Sequence, residues 1–120
     1  MTSITVFLIF LGYDNNMHLK IERSGKSKTY SFKRKKSVSI GRSPSCDIQV
    51  VEEGISRQHL VIQEKNGEYF ATDQGSTNGT YVDDQKMDAE KSYPFNSFFP
   101  LRLGGSVYVY LLDETQVKGS

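Results

Sequence analysis

The 120-residue chain contains one cysteine and no tryptophan, and the single cysteine restricts both its fold and its chemistry. Cys46 cannot form an internal disulfide, so a packed core must stabilise the chain, and the sequence is compatible with a reducing compartment. The two histidines lie far from Cys46 and from each other, in no spacing typical of a metal site. We therefore expect neither a metal nor another cofactor.

Long hydrophobic runs are also missing. The apolar stretch Ile4–Leu11 has eight residues, whereas a membrane-spanning helix needs about 20. No positively charged region precedes it and no A-x-A cleavage site follows it, so we expect neither a membrane partner nor a cleaved signal peptide. The stretch fits an added strand or a hydrophobic docking segment better. Residues 1–16 are therefore assigned to an N-terminal tail, with Met17 as the start of the domain.

Acidic residues are scarce in the first third of the chain. Residues 1–42 carry nine Lys or Arg against two acidic residues, a balance of +7, whereas residues 43–120 carry six against twelve, a balance of −6. Such asymmetry is compatible with an anion-binding face. The basic run Lys33–Lys36 fits equally well a solvated strand edge whose lysines prevent edge-to-edge pairing.

Helical periodicity is absent, because no segment of ten or more residues repeats apolar side chains every three to four positions. Alternation with period two occurs instead, for example at Leu19 and Ile21. Asn66-Gly67 predicts a hairpin between Leu60–Gln63 and Glu68–Thr72, because such a turn needs positive φ angles. Many short strands separated by turn residues predict an all-β sandwich or barrel.

Three sequence clusters then occur in a specific order. Ser39–Arg42 (SIGR) is followed by Cys46–Ile48, then by Ile55–His59 (ISRQH), and finally by Asp73–Val82 (DQGSTNGTYV). A G-R pair, an S-x-x-H and an S-T-N-G-T in this order and spacing resemble the forkhead-associated (FHA) domain family. Each cluster alone is a weak signal, but the three together on an all-β chain of this length are specific.

The resemblance implies a fold and the location of a site. FHA domains are two-sheet β-sandwiches of about eleven strands, similar to SMAD domains, with a peptide-binding site on loops at one end. We assign residues 17–114 to this domain and residues 115–120 to a frayed C-terminus or linker.

The same resemblance implies that five side chains converge to bind a phosphothreonine peptide. Arg42 would supply an always charged, planar guanidinium for charge-assisted hydrogen bonds to the phosphate. Ser56 would offer its hydroxyl and its backbone N–H, and Arg57 would reach the phosphate or point into solvent. Thr77 would help to bind the phosphate, and the amide of Asn78 would grip the peptide main chain, since it offers a donor and an acceptor together.

Other residues of the clusters would support the site. Gly41 and Gly79 would allow close backbone approach, and His59 would connect loops through hydrogen bonds. Asn78-Gly79 also fits a plain type I′ turn. Gly54 lies where some family members place a side chain that reads the third residue after the phosphothreonine, and glycine has no side chain for this.

Two other classes of function are considered. Ser56 and His59, with Asp47 or Asp73, could suggest a hydrolase, but no G-x-S-x-G elbow surrounds Ser56. The basic run permits nucleic-acid binding, but no nucleic-acid motif is present. We therefore expect no catalytic residue and no nucleic-acid partner.

The expected partner is a phosphothreonine-containing protein. We expect the domain to bind it in cytoplasmic, and thus intracellular, signalling, and to be part of a larger protein. The tail offers Thr2 and Thr5 as phosphorylation sites, and phosphorylated Thr5 could occupy the pocket of its own domain or of a neighbour. An FHA-like interaction domain that contacts its partner without phosphate is the alternative.

Overall fold

Alternating inward and outward side chains form eleven strands in the part of the chain that the structure describes, residues 16–113 and 116–117 of a computed structural model. The strands are β1 (Met17–Arg23), β2 (Lys26–Phe32), β3 (Ser37–Gly41), β4 (Ile48–Gln49), β5 (Leu60–Lys65), β6 (Glu68–Asp73), β7 (Thr80–Val82), β8 (Gln85–Lys86), β9 (Ser92–Phe95), β10 (Leu101–Leu103) and β11 (Val107–Leu112).

The strands form two sheets that pack face to face. The six-stranded sheet has the order β2-β1-β11-β10-β7-β8, and the five-stranded sheet has the order β4-β3-β5-β6-β9. Their inner faces supply the core, which includes Leu19, Ile21, Leu101, Leu103, Val107 and Val109 from one sheet and Val38, Ile40, Leu60, Ile62 and Ala71 from the other. The predicted fold class, a two-sheet β-sandwich of eleven strands, is confirmed.

Positive φ angles mark the hairpin turns. Asn66 and Gly67 have φ angles of 53° and 83° and join β5 to β6, as the sequence predicts. Asp83 and Asp84, with φ angles of 48° and 61°, join β7 to β8 in a turn that contains no glycine. Aspartate tolerates this left-handed region better than most residues, because its short polar side chain can bond the local backbone.

The two ends of the sandwich differ. At one end, the backbone passes from β3 to β4, from β4 to β5, from β6 to β7 and from β10 to β11. At the other end, β1 starts and β11 finishes side by side, with His18 opposite Leu112. The turn after β9 presents Phe98 and Phe99, whose exposed fractions are 83% and 50%.

The predicted domain boundaries stay predictions. The N-terminal tail, residues 1–16 with Thr2 and Thr5, lies outside the described residues except for Asn16. The C-terminal segment, residues 115–120, lies outside them except for Gln116 and Val117. In the described segments, no helix has the length and apolar character needed to cross a bilayer.

Candidate functional site

Three loops meet at the end of the sandwich where β3 finishes. The first loop, residues 42–47, follows β3, and the second loop, residues 50–59, follows β4. They are joined by two hydrogen bonds, from the backbone N–H of Arg42 to Ser56 O (2.9 Å) and from that of Ser43 to Arg57 O (3.1 Å). Together with the third loop, residues 74–79, they line a depression of about 660 Å³. Its lining includes all five side chains that the resemblance implies for phosphopeptide binding: Arg42, Ser56, Arg57, Thr77 and Asn78.

Gly41 allows the first two loops to approach closely. A Cβ atom at this position would lie 2.2 Å from Arg57 O, a distance that no real side chain adopts. The same carbonyl accepts hydrogen bonds from Ser43 N and from the buried thiol of Cys46 (3.2 Å). Any side chain at position 41 would therefore push Arg57 and its loop away from Arg42.

The two arginines present cationic groups to the depression. Arg42 Nε donates to Ile55 O (3.2 Å), which fixes the plane of the guanidinium. Its two terminal nitrogens, and the whole guanidinium of Arg57, make no hydrogen bond or ion pair to the described residues. Both side chains are exposed, so these N–H groups are available to an anion.

Ser56 connects the second and third loops. Its Oγ accepts a hydrogen bond from Thr77 N (2.9 Å), so its own hydroxyl hydrogen remains available to donate into the depression. Its backbone N–H donates to His59 Nδ1 (3.1 Å). In the structure the histidine therefore uses this N–H, and the expected approach of the N–H to a phosphate stays a prediction.

The Asn78 amide also crosses between these loops. Asn78 Nδ2 donates to Gly54 O (3.1 Å), leaving Oδ1 and the second N–H hydrogen for a ligand. The type I′ interpretation of Asn78-Gly79 is wrong, because only Gly79 has a positive φ angle (83°) and the pair does not join a hairpin. Gly54 has a φ of 89°, a backbone conformation that glycine adopts much more readily than residues with a side chain.

His59 is fully buried and connects the loops through both of its ring nitrogens. Ser56 N–H can only donate and Gly79 O can only accept, so Nδ1 is the acceptor and Nε2 the donor, with an Nε2–O distance of 3.0 Å. Neither ring nitrogen is left to take a proton from Ser56 Oγ, and the Ser-His hydrolase is not supported.

Asp73 organises the third loop, a function that the sequence analysis missed. Its Oδ1 accepts hydrogen bonds from Ser76 Oγ (2.6 Å) and Thr80 Oγ1 (2.7 Å), and its Oδ2 accepts from Ser76 N (2.9 Å). Burial alone would raise the pKa of Asp73, but these bonds outweigh burial and hold the pKa below its usual value. The pattern D-x-x-S-x-x-x-T, in which two hydroxyl residues follow one carboxylate, could have indicated this function from the sequence.

Acidic residues also line the depression. Glu52 and Glu53 line it together with Val51, whose exposed fraction is 62%. Glu52 lies 3.7 Å from Arg23 Nη1. The lining of the depression therefore contains both cationic and acidic side chains. No cluster of three or more potential metal ligands exists within the described ranges.

Comparison with known proteins decides the family. The sequence profile of the FHA domain matches residues 38–104, which include every loop of the depression. The chain belongs to the FHA domain family. An FHA domain is a binding module, and a similar curated protein is the FHA domain-containing protein PS1 of Arabidopsis thaliana, 35% identical over 75 residues that cover 61% of this chain and 5% of PS1. The chain spans less than half the length of the curated relatives it matches.

Solved FHA structures superpose on the same fold. The FHA domain of the CT664 protein from Chlamydia trachomatis has a TM-score of 0.73 at 24% identity, over 82% of this chain and 97% of that one. A structure from a structural and functional analysis of phosphothreonine-dependent FHA domain interactions has a TM-score of 0.65 at 27% identity, over 79% and 97% of the two chains.

We expect His59 to make the stability of this FHA domain depend on pH. Burial lowers the pKa of His59, and the hydrogen bond to Gly79 and the charge of Asp73 offset this only in part. The folded state therefore binds this proton less readily than the unfolded state, so stability is complete above about pH 6.5 and falls as the pH drops below it. We expect the urea midpoint to decrease between pH 7.5 and pH 5.5.

Replacing His59 by glutamine tests the assignment of this pH dependence. The variant is less stable at pH 7.5 because two hydrogen-bonded groups lose a well-placed partner, but its urea midpoint changes less between pH 7.5 and pH 5.5. An equal decrease in both proteins would mean that another group carries the pH dependence.

Proposed function

We propose that this FHA domain binds phosphothreonine peptides in the depression formed by its three loops, and that it acts as a recognition module in phosphorylation-dependent protein–protein interaction. One observation carries the proposal: two guanidinium groups without ion-pair partners among the described residues and the Ser56 hydroxyl line one depression. A phosphate with a charge of about −1.5 to −2 and three acceptor oxygens matches these donors.

Each side chain has a separate function in the proposed complex. Arg42 is fixed in plane by Ile55 O and presents two terminal nitrogens to the phosphate. Ser56 donates its hydroxyl, and Arg57 closes the cationic side. Asn78 keeps an amide oxygen and one N–H hydrogen for the peptide main chain, and Thr77 lies between Ser56 and Asn78 along the wall.

Support for phosphothreonine as the ligand also comes from the relatives. The structure with a TM-score of 0.65 belongs to work on phosphothreonine-dependent FHA domain interactions, and 27% of its aligned residues are identical. Phosphothreonine signalling operates on intracellular proteins, so we place this function in the cytoplasm. The free, buried thiol of Cys46 is compatible with that compartment.

A titration with matched peptides tests the proposal. A peptide pool with a central phosphothreonine and degenerate flanks is compared with pools that carry phosphoserine or unmodified threonine at the same position. We expect binding of the first pool and none of the third, and about fourfold weaker binding of phosphoserine, because one buried methyl contributes about 0.8 kcal/mol. Equal affinity for phosphorylated and unphosphorylated pools would instead identify a domain that contacts its partner without phosphate.

The N-terminal tail is a candidate ligand for the same pocket. Thr5 and Met17 are twelve positions apart, and an extended chain covers at most about 3.3–3.6 Å per residue, or roughly 40 Å. We propose that phosphorylated Thr5 docks in its own pocket or that of a neighbouring copy. A peptide of residues 1–12, phosphorylated at Thr5 and included in the titration, must bind more tightly than its unphosphorylated form for this to hold.

A further inference from the structure

The outer face of the six-stranded sheet carries a row of tyrosines and cations beside the depression. The strand register places Lys86 opposite Tyr81, Tyr81 opposite Arg102, and Arg102 opposite Tyr108. These four side chains, the tyrosine–cation row, occupy neighbouring strands β8, β7, β10 and β11. At a strand spacing of about 4.8 Å the row is roughly 15 Å long.

The row is held in place by its own contacts. The Arg102 guanidinium lies 4.3 Å from the centroid of the Tyr81 ring, and Arg102 Nη1 donates to Gly104 O (2.7 Å). The remaining N–H groups of Arg102, and the Lys86 ammonium, form no ion pair within the described residues. Tyrosine and arginine are, with tryptophan, enriched among the residues that contribute most binding energy to protein interfaces.

The row is continuous with the depression through Gly79. Lys86 Cε lies 2.9 Å from the position that a Gly79 Cβ would occupy, next to Asn78 in the depression. Gly104 N–H donates to Gly79 O (3.0 Å), and a Cβ on Gly104 would lie 2.8 Å from Gly54 O. Gly104, which accepts the Arg102 hydrogen bond, therefore lies against Gly79 and Gly54, the residues on which Asn78 depends for its place in the depression.

The charges around the row favour an acidic occupant at the end near the depression. Glu22 lies opposite Tyr108, at the far end of the row. Asp83 and Asp84 lie in the β7–β8 turn, separated from Tyr81 and Lys86 by the pair Val82 and Gln85. Between these acidic residues, the row itself carries the two positive charges of Lys86 and Arg102, and Lys86 lies against Gly79 beside the depression.

We propose that the tyrosine–cation row is a second contact region for the phosphorylated partner, and that it binds an acidic, extended segment flanking the phosphothreonine. This inference rests on the proposed function, because the phosphothreonine anchors the segment. Tyr81 follows Asn78 by three positions, which span at most about 10 Å of chain. The segment therefore begins about three residues from the phosphothreonine, and four or five extended residues cross the row.

The experiment compares short and extended peptides by fluorescence anisotropy. The short pool has three degenerate residues on each side of a phosphothreonine. Two extended pools add four glutamates to the C-terminal or to the N-terminal side, and matched pools add four glutamines instead. We expect the glutamate block to tighten binding roughly tenfold on one side, because tethering makes the second contact intramolecular, and the glutamine block to have little effect. The gain must shrink as salt is added.

Variants locate the gain on the molecule. In the double variant K86Q/Y108S the ratio of extended to short affinity falls to nearly one, whereas K33Q, which removes a lysine at the opposite end of the sandwich, leaves the ratio unchanged. The ratio cancels any effect that a substitution has on phosphate binding itself. Circular dichroism and melting temperature establish that each variant is folded.

The outcomes separate this inference from the proposed function. A ratio near one for both glutamate pools, or a gain that survives in K86Q/Y108S, overturns the second contact region while short-pool binding leaves the proposed function intact. Failure of the short and the extended pools to bind overturns both. Equally tight binding of an unphosphorylated glutamate-extended pool would show that the row does not act as an extension of the phosphothreonine site.

Discussion

Replacing Arg42 by alanine is expected to weaken phosphothreonine-peptide binding at least tenfold while the domain stays folded. Its two terminal guanidinium nitrogens make no hydrogen bond to the described residues, so few protein contacts are lost. Each charge-assisted hydrogen bond to the phosphate contributes roughly 1.5–3 kcal/mol, which corresponds to a factor of ten or more. Isothermal titration calorimetry with the short phosphothreonine pool measures the loss.

Ser56→Ala should weaken the same binding to a similar extent, and it should also lower the stability of the domain. Alanine removes the hydroxyl donor and also the Oγ that accepts from Thr77 N, so the third loop loses a connection to the second.

Lys33→Ala is the matched control for Arg42→Ala, because it removes one exposed positive charge at the opposite end of the sandwich. If Arg42→Ala and Lys33→Ala bind the pool equally well, the assignment of the phosphate site is wrong.

Replacing Asp73 by alanine is expected to produce the largest loss of stability, roughly 3 kcal/mol or more. Asp73 is 2% exposed, and removal of its carboxylate leaves the hydroxyls of Ser76 and Thr80 and the backbone N–H of Ser76 without their acceptor. Hydrogen bonds to a charged group contribute about 1.5–3 kcal/mol each, although the values do not simply add. Since the pKa of Asp73 is held low, its contribution is complete at neutral pH and is lost as the pH falls through that value.

Urea unfolding at pH 7 measures this loss, and Asp47→Ala is the control. Asp47 also accepts hydrogen bonds, from Ser39, but it is exposed, so water can replace it. We expect Asp47→Ala to cost much less than Asp73→Ala. Comparable losses for the two variants would mean that Asp73 does not organise the third loop as its hydrogen bonds indicate.

The longer strands could be predicted because their patterns are local. The alternation of Leu19 and Ile21 and the Asn66-Gly67 turn identify β1 and the β5–β6 hairpin without tertiary information. Strands β4 and β8 have two residues each, too few for any period to be visible. The total of eleven strands therefore came from the family resemblance and not from periodicity.

The side chains of the site could be predicted from the sequence, but their hydrogen-bond partners could not. The five side chains that line the depression were found because the family places these residue types in order along the chain. Their hydrogen-bond partners depend on distances between loops that a sequence does not contain. Thus the occupation of Ser56 N–H by His59 was missed, and so was the carboxylate of Asp73 beneath two hydroxyls.

The neighbouring positions of the first and last strands have a consequence for how such a unit is built into longer chains. His18 and Leu112 face each other across an antiparallel pair, so their Cα atoms are about 5 Å apart. The polypeptide therefore enters and leaves the sandwich at neighbouring points, and the loops that form the depression are at the opposite end. A domain with neighbouring ends can be inserted into a surface loop of another protein with little rearrangement. Inserted in this way, the domain would turn its depression away from the protein that carries it.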